Sequence, residues 1–269
     1  MNKALLSWDG LAEYLVSAGR VPAHRLIREL AKATSLPGSR VRHRLRELVE
    51  AGQVCQTWTE GVSFYEPGFL RPLSVGERLV LARPGAGRPD PEKVPVFLPP
   101  GAAFGLGRHP TTRLACTLLE KVLGHGGLLP PGLRTTAMDA GCGTGVLGLA
   151  ALLLGMERAV LVDIDPVAVD EARRNARLNG LDDRADVSGE PLESFAGPYP
   201  LILANLRGPT LVRLLPWMER VAPAGGMLVA TGTRPGEAAS FAARAAGHGF
   251  APVLERTEAG WTGLALARK

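Results

Sequence analysis

The sequence is poor in cysteine and in aromatic residues, and it has no long apolar run. Its three cysteines, Cys55, Cys116 and Cys142, are scattered over 269 residues, an odd number without metal-ligand spacing. That pattern argues against a disulfide framework and a zinc site, and no metal is implied. No stretch reaches the roughly 18 apolar residues of a membrane helix. The most apolar run, residues 146–156, is short and interrupted by glycine. Glycine and proline are frequent, at 33 and 22 residues, but follow no period, so collagen-like and solenoid architectures are out. The opening MNKALLSWDG lacks the apolar core of a secretory signal, so a soluble cytoplasmic protein is the expectation. What is present suffices for a core: 46% of residues are hydrophobic and 21% charged. The length allows one large domain or two modest ones.

The chain carries a formal net charge of +5, and this excess is local. Residues 20–50 hold eight Lys/Arg against three Glu, so the remainder sums to zero. The basicity belongs to a short N-terminal segment rather than to the protein at large.

Three regions can be read. Residues 1–66 are helical, then strand-like. Residues 67–100 are rich in Pro and Gly and read as a linker with short extended pieces. Residues 101–269 alternate strands with helices, which implies βαβ units and a parallel sheet. In the first region, helices are expected over 11–18 and 23–33. A third helix, capped by Ser39, is expected over 39–51, with Gly52 as its stop. Val41, Leu45, Leu48 and Val49 of that helix share one apolar face, while Arg40, Arg44 and Glu47 lie on another. Residues 54–59 and 62–65 pair as a hairpin around Glu60-Gly61. Three helices followed by a hairpin resemble a winged helix. Such a unit either holds nucleic acid through Arg40 and Arg44 or serves as a docking or dimerisation module with a solvated basic face.

The strongest motif is Asp139-Ala140-Gly141-Cys142-Gly143-Thr144-Gly145, which follows a short apolar lead and precedes an apolar helix from Val146. The chain must turn sharply from strand to helix there, and a ligand must approach bare backbone. A glycine-rich loop alone is weak evidence. A second acid strengthens it. Residues 159–162 read as the next strand and lead into Asp163-Ile164-Asp165-Pro166, placing Asp163 at a strand's carboxyl end, where an acid can accept both ribose hydroxyls. Asp165 reads as a helix N-cap with Pro166 in the first turn.

Together these residues resemble a class I S-adenosylmethionine-dependent methyltransferase, a Rossmann-like α/β fold with a doubly wound seven-stranded sheet. More specifically, the stretch from Ala103 and Phe104 to Arg113, with its Phe-Gly-x-Gly-x-His-Pro-Thr-Thr, and Leu203-Ala204-Asn205-Leu206 are similar to motifs of the PrmA family. That family methylates amino groups of large-subunit ribosomal protein eleven. The resemblance covers residues 99–269 and implies that Thr112, Gly141, Asp163 and Asn205 contact the cofactor or frame its site; Asp139, Gly143 and Gly145 of the loop and Ser188 after the third strand complete the expected cofactor site. The catalytic position falls to Asn205, and Phe104 and Arg207 are expected on the substrate side. Physically, Thr112 offers either a hydroxyl near the methionine end or a helix cap. Asn205 ends a buried strand, and its amide oxygen can position an amine but cannot act as a general base. His109 is structural or takes a proton, and its turn favours structure. Ser188 and Glu190 would flank the adenine, although Glu190 also reads as a surface acid. Trp217 and Trp261 read as packing residues. A strand at 227–231, helices over 210–221 and 236–248 and a closing hairpin of 251–258 with 261–267 complete the expected order.

Three features depart from the family's pattern. Leu106 stands where the family has Thr. Leu206-Arg207-Gly208-Pro209 puts a cation after the Asn, where it either faces solvent or favours an anionic acceptor. Helices and a hairpin replace the family's ferredoxin-like N-terminal module. The resemblance implies a protein amine, in a ribosomal protein, as the substrate. The competing substrates are RNA or DNA held by the basic helix, or a small molecule with the first unit used for dimerisation. A non-enzymatic cofactor sensor also fits, but the intact glycine loop and Asp163 weigh against it. The oligomeric state is not readable.

Overall fold

The computed structural model describes residues 8, 10–18, 21–50, 53–59, 62–67, 72–84, 90–99 and 109–269. The N-terminal unit runs α1 (Leu11–Ala18), β1 (Val21–Pro22), α2 (Ala23–Thr34), α3 (Gly38–Glu50), β2 (Val54–Thr59) and β3 (Val62–Pro67). Its strands form an antiparallel sheet in the order β1-β3-β2. Leu26 and Leu30 of α2 and Val41, Leu45 and Leu48 of α3 face inward, at helical spacing, onto Leu15 and Tyr65. Ser39 does not cap α3. The helix begins one residue earlier, because the Pro37 carbonyl accepts the Val41 N–H at 3.1 Å, and Ser39 lies exposed inside the first turn. The proposed stop at Gly52 and the Glu60-Gly61 turn lie outside the described residues, although Thr59 pairs with Val62 across that turn.

The Pro/Gly-rich segment contains the short strands expected of it, but it also packs. Strands β4 (Leu73–Ser74), β5 (Leu79–Ala82) and β6 (Val94–Phe97) form a small sheet, with β4 antiparallel and β6 parallel to β5. Leu79, Leu81, Val96 and Leu98 join the main core. Two distant side chains hold the segment. The buried Glu120 carboxylate accepts the Glu77, Arg78 and Leu79 N–H groups at 2.6, 2.8 and 2.5 Å. The Asn179 amide brackets Phe97, accepting its N–H and donating to its carbonyl, both at 2.8 Å. A segment tethered in this way is part of the folded body.

The rest of the chain alternates. In order come α4 (Pro110–Leu123), β7 (Thr136–Ala140), α5 (Val146–Leu153), β8 (Arg158–Val162), α6 (Pro166–Leu178) and β9 (Ala185–Ser188). They are followed by β10 (Leu201–Asn205), α7 (Gly208–Val221), β11 (Met227–Thr233), α8 (Pro235–Gly247), β12 (Phe250–Glu258) and β13 (Trp261–Arg268). The strands form one mixed seven-stranded sheet in the order β12-β13-β11-β10-β7-β8-β9, with only β13 antiparallel to its two neighbours. Alternation along the strands builds a core on each face. Leu201 and Leu203 pack with α4, α5 and α6, while Ile202 and Ala204 pack with α7 and α8. The strand order reverses between β7 and β10, so the loops leaving β7, β8 and β10 open side by side at one sheet edge. Among the described residues no helix is long and apolar enough to cross a membrane.

Candidate active site

The glycine loop leaves β7 under close constraint. The Val162 carbonyl at the end of β8 accepts the Gly141 and Cys142 N–H groups at 2.8 and 3.0 Å. Gly141 has φ 71°, and a Cβ there would lie 2.6 Å from Leu206 Cδ2. Both the conformation and the space exclude a side chain. Gly145 begins α5, packed on Leu161 and Ala172.

Asp163 follows β8 and locks this loop. Its Oδ2 accepts the Gly143 N–H at 2.9 Å and its Oδ1 accepts the Asp165 N–H at 3.0 Å. Asp165 has a different task. Its Oδ1 accepts the Val167 N–H at 2.9 Å, capping α6 with Pro166 in the first turn. Asp139 lies behind the loop, 1% exposed, and accepts the Gly148 N–H at 2.8 Å, tying β7 to α5. Burial pushes its carboxyl up to about 7, against the opposing pull of that hydrogen bond.

A cavity of about 700 Å³ opens above these loops. Gly141, Gly143, Asp163 and the 83% exposed Ile164 make one wall. Asn205 and Leu206 at the end of β10, with Arg207, Thr210 and Arg213 of the α7 region, make the facing wall. His109, Thr111 and Trp261 form a rim. His109 N-caps α4, with Nδ1 2.8 Å from Thr111 Oγ1, which supports its structural reading. Its ring meets Trp261 edge-on at 5.1 Å between centroids, and the Arg234 guanidinium lies 3.9 Å over Trp261.

The sequence-derived residues divide. Gly141, Gly143, Asp163, Asn205 and Arg207 share the cavity. Asp139 and Gly145 support the loop from behind. Thr112 is fully buried within α4, and its hydroxyl has no hydrogen-bond partner among the described residues. The neighbouring Thr111 lines the cavity. Ser188 ends β9, where its carbonyl accepts the Asp163 N–H and its hydroxyl accepts the Glu190 N–H at 3.1 Å; neither residue reaches the cavity wall. Phe104 and the rest of residues 101–108 lie outside the described residues.

Sequence reasoning missed Ile164, Thr210, Arg213, Gly232 and Trp261. Arg207, Thr210 and Arg213 recur at a spacing of three, which was a readable helical signal. Gly232 inside a strand was another. It has φ 98° at the β11 register shift, where the Leu206 backbone leaves no room for a Cβ. Trp261 carried no signal, and the closing hairpin brings it there. Trp217 packs as expected, donating to the Phe195 carbonyl. On the N-terminal unit, Arg40 and Arg44 are both exposed on α3, with Arg44 paired to Glu47 at 2.8 Å.

Residues 58–269 match the family model described as ribosomal protein L11 methyltransferase (PrmA). The curated ribosomal protein L11 methyltransferase of Pelobacter propionicus is 42% identical over 164 residues, which are 61% of this chain and 52% of that protein. The one from Gloeobacter violaceus is 37% identical over 194 residues, 72% of this chain and 58% of that protein. The chain thus spans little more than half the length of these relatives. Among solved structures, the ribosomal protein L11 methylase of Lactobacillus delbrueckii subsp. bulgaricus superposes with a TM-score of 0.65 at 26% identity, over 74% of this chain and 99% of that one.

Proposed function

The chain belongs to the ribosomal protein L11 methyltransferase (PrmA) family, and on that premise we propose that it methylates amino groups of a ribosomal protein from S-adenosylmethionine. One observation carries the reading: a glycine loop, an acid after the next strand and an amide at the end of β10 converge on one cavity at the sheet's switch point.

The residues suit the cofactor. The cavity has the volume of a small-molecule site. The Gly141 cradle is one that a Cβ would fill. Each Asp163 oxygen holds one backbone N–H and keeps a second lone pair for a ribose hydroxyl. Gly141 and Gly143 present backbone to the methionine portion, and Thr111 stands at that end in place of Thr112. Ile164 offers an apolar surface for the adenine. Asp139 and Gly145 hold the loop's shape.

When bound, S-adenosylmethionine supplies a sulfonium-activated methyl group that an amine lone pair displaces, the bonding pair staying on sulfur. Asn205 accepts an N–H of the neutral amine and so aims its lone pair. It does not take the proton, which passes to water. Leu206, Leu214 and Trp261 narrow the site and limit water. Arg207 and Phe104 belong to the substrate side.

We read residues 1–66 as a winged-helix-like unit, 67–100 as a connection that packs on the catalytic part, and 101–269 as the methyltransferase domain, working in the cytoplasm. The helix–strand–helix–helix–strand–strand order supports the first. That unit grips the substrate complex, and Arg40 and Arg44 would touch nucleic acid there if it does so through RNA.

The experiment is transfer of labelled methyl from S-adenosylmethionine to large ribosomal subunits, followed by separation of proteins and RNA. Label on a protein amine, lost to protease, is expected. Label lost only to nuclease would replace this reading with an RNA methyltransferase that uses the basic helix.

A further inference from the structure

The N-terminal unit has a hollow of its own, of about 650 Å³. It follows two turns of α2, about 12 Å of helix, and is closed by the starts of α3 and β3. Ile27, Gly38 and Val62 line it together with His24 and two arginines, Arg28 and Arg42. The described lining holds no carboxylate, and among the described residues neither arginine has an acidic partner. Glu29 of α2 is engaged by Arg25 and Glu47 of α3 by Arg44, both at 2.8 Å. The Arg42 guanidinium folds back over the first turn of its own helix, where a Cβ on Gly38 would lie 3.7 Å from Nη1. That turn has no acid, and a helix begins at its positive end. A cation held there is balanced only by an anion from outside.

We propose that this hollow binds the phosphodiester backbone of a nucleic-acid strand, with Arg28 and Arg42 each holding a phosphate. The inference goes beyond the methyltransferase reading and stands whichever atom is methylated. Guanidinium forks match pairs of phosphate oxygens. Residues 20–50 carry the chain's whole charge excess, so the positive field reaches past the hollow and suits a regularly charged polymer better than a single anion. The α3 face with Arg40 and Arg44 is the weaker one, because Glu47 pairs with Arg44 and lies 3.5 Å from His43. Backbone contacts carry no sequence information, so binding is indifferent to base and sugar.

The test titrates the full chain, without cofactor, into a short fluorescent single strand of mixed-sequence RNA and reads anisotropy over a range of salt. Log affinity is expected to fall against log salt with a slope of at least about 1.4 in magnitude, the share of two phosphates. A DNA strand of the same sequence binds within about threefold. In the Arg28→Gln/Arg42→Gln variant the slope shrinks by about 1.4 and low-salt affinity falls about tenfold or more, each single variant taking about half of the slope change. Both side chains are exposed, so the variants melt with the wild type. Arg40→Gln/Arg44→Gln changes affinity by less than about threefold. Absence of salt-dependent binding by the wild type overturns the proposal. So do equal losses in the two double variants, since general basicity then suffices. A glutamate-rich peptide of equal charge that binds as tightly as the RNA also overturns it and makes the hollow a peptide site.

Discussion

The β7–β8 wall of the cavity is made of backbone, and the β10–α7 wall is made of side chains. On the first, Gly141 and Gly143 expose bare peptide, and the Asp163 carboxylate is fixed by two N–H groups. On the second, Asn205, Arg207, Thr210 and Arg213 project from a strand end and a helix. A backbone wall tolerates almost no change, because its shape comes from conformation and close approach. A side-chain wall can be rewritten residue by residue at small cost to the fold. The first wall therefore suits a ligand that never varies, and the second suits one that does.

The largest effect is expected where the backbone wall is broken. Gly141→Ala puts a Cβ 2.6 Å from Leu206 at φ 71°. The strained conformation and the overlap together should cost about 3–5 kcal/mol, read as lost melting stability and lost S-adenosylhomocysteine binding. Adding Leu206→Ala should recover the overlap and leave the conformational part. Full recovery would show that φ is of no consequence.

Asp139 tests what lies behind that wall. Its carboxyl is raised from 3.8 to about 7 by burial. Between those values the folded chain holds a proton that the unfolded chain has released, so stability is highest on the acid side. It should decline by up to about 1.4 kcal/mol per pH unit as pH rises through that window, and level off above it. Asp139→Asn keeps an acceptor for the Gly148 N–H and cannot ionise, so its denaturation midpoint should lack this slope. An unchanged slope would place the titration elsewhere.

Asp163→Ala should weaken cofactor binding by roughly 1.5–3 kcal/mol by calorimetry, since a charged acceptor is lost and the Gly143 and Asp165 N–H groups lose theirs. Unaltered affinity would end the ribose assignment. The smallest effect belongs to the side-chain wall. Asn205→Ala should lower turnover about tenfold with little change in cofactor affinity. Equal losses in both would move Asn205 to the cofactor wall and blur the contrast.

The backbone wall was also the more legible in sequence. Glycine between a strand and a helix names its own conformation, and Asp163-Ile164-Asp165-Pro166 carries both a strand-end acid and a capping signal. The side-chain wall was read only in part. Asn205 was found through the motif it shares with the family, and Arg207 because it departs from that motif two residues on. Arg213 and Trp261 arrive from α7 and β13, and only the closed sheet brings them together. Thr111 and Thr112 show a finer limit. Composition cannot tell adjacent hydroxyls apart, whereas α4, starting at Pro110 with His109 as its cap, buries Thr112 and leaves Thr111 lining the cavity.

The element order, the alternating strands that divide two cores, and the loop that must be glycine follow from the sequence, because they depend on neighbours a few residues apart. The fate of residues 67–100 does not. Their Pro and Gly content describes a connector, yet Glu120 and Asn179, about 40 and 80 residues away, satisfy their backbone and bury Leu79 and Leu81 in the main core. Local sequence sets what a segment can adopt. Which of those states is kept depends on the partners that folding delivers, since an unpaired backbone group or a lone carboxylate is costly to bury until its partner is in place.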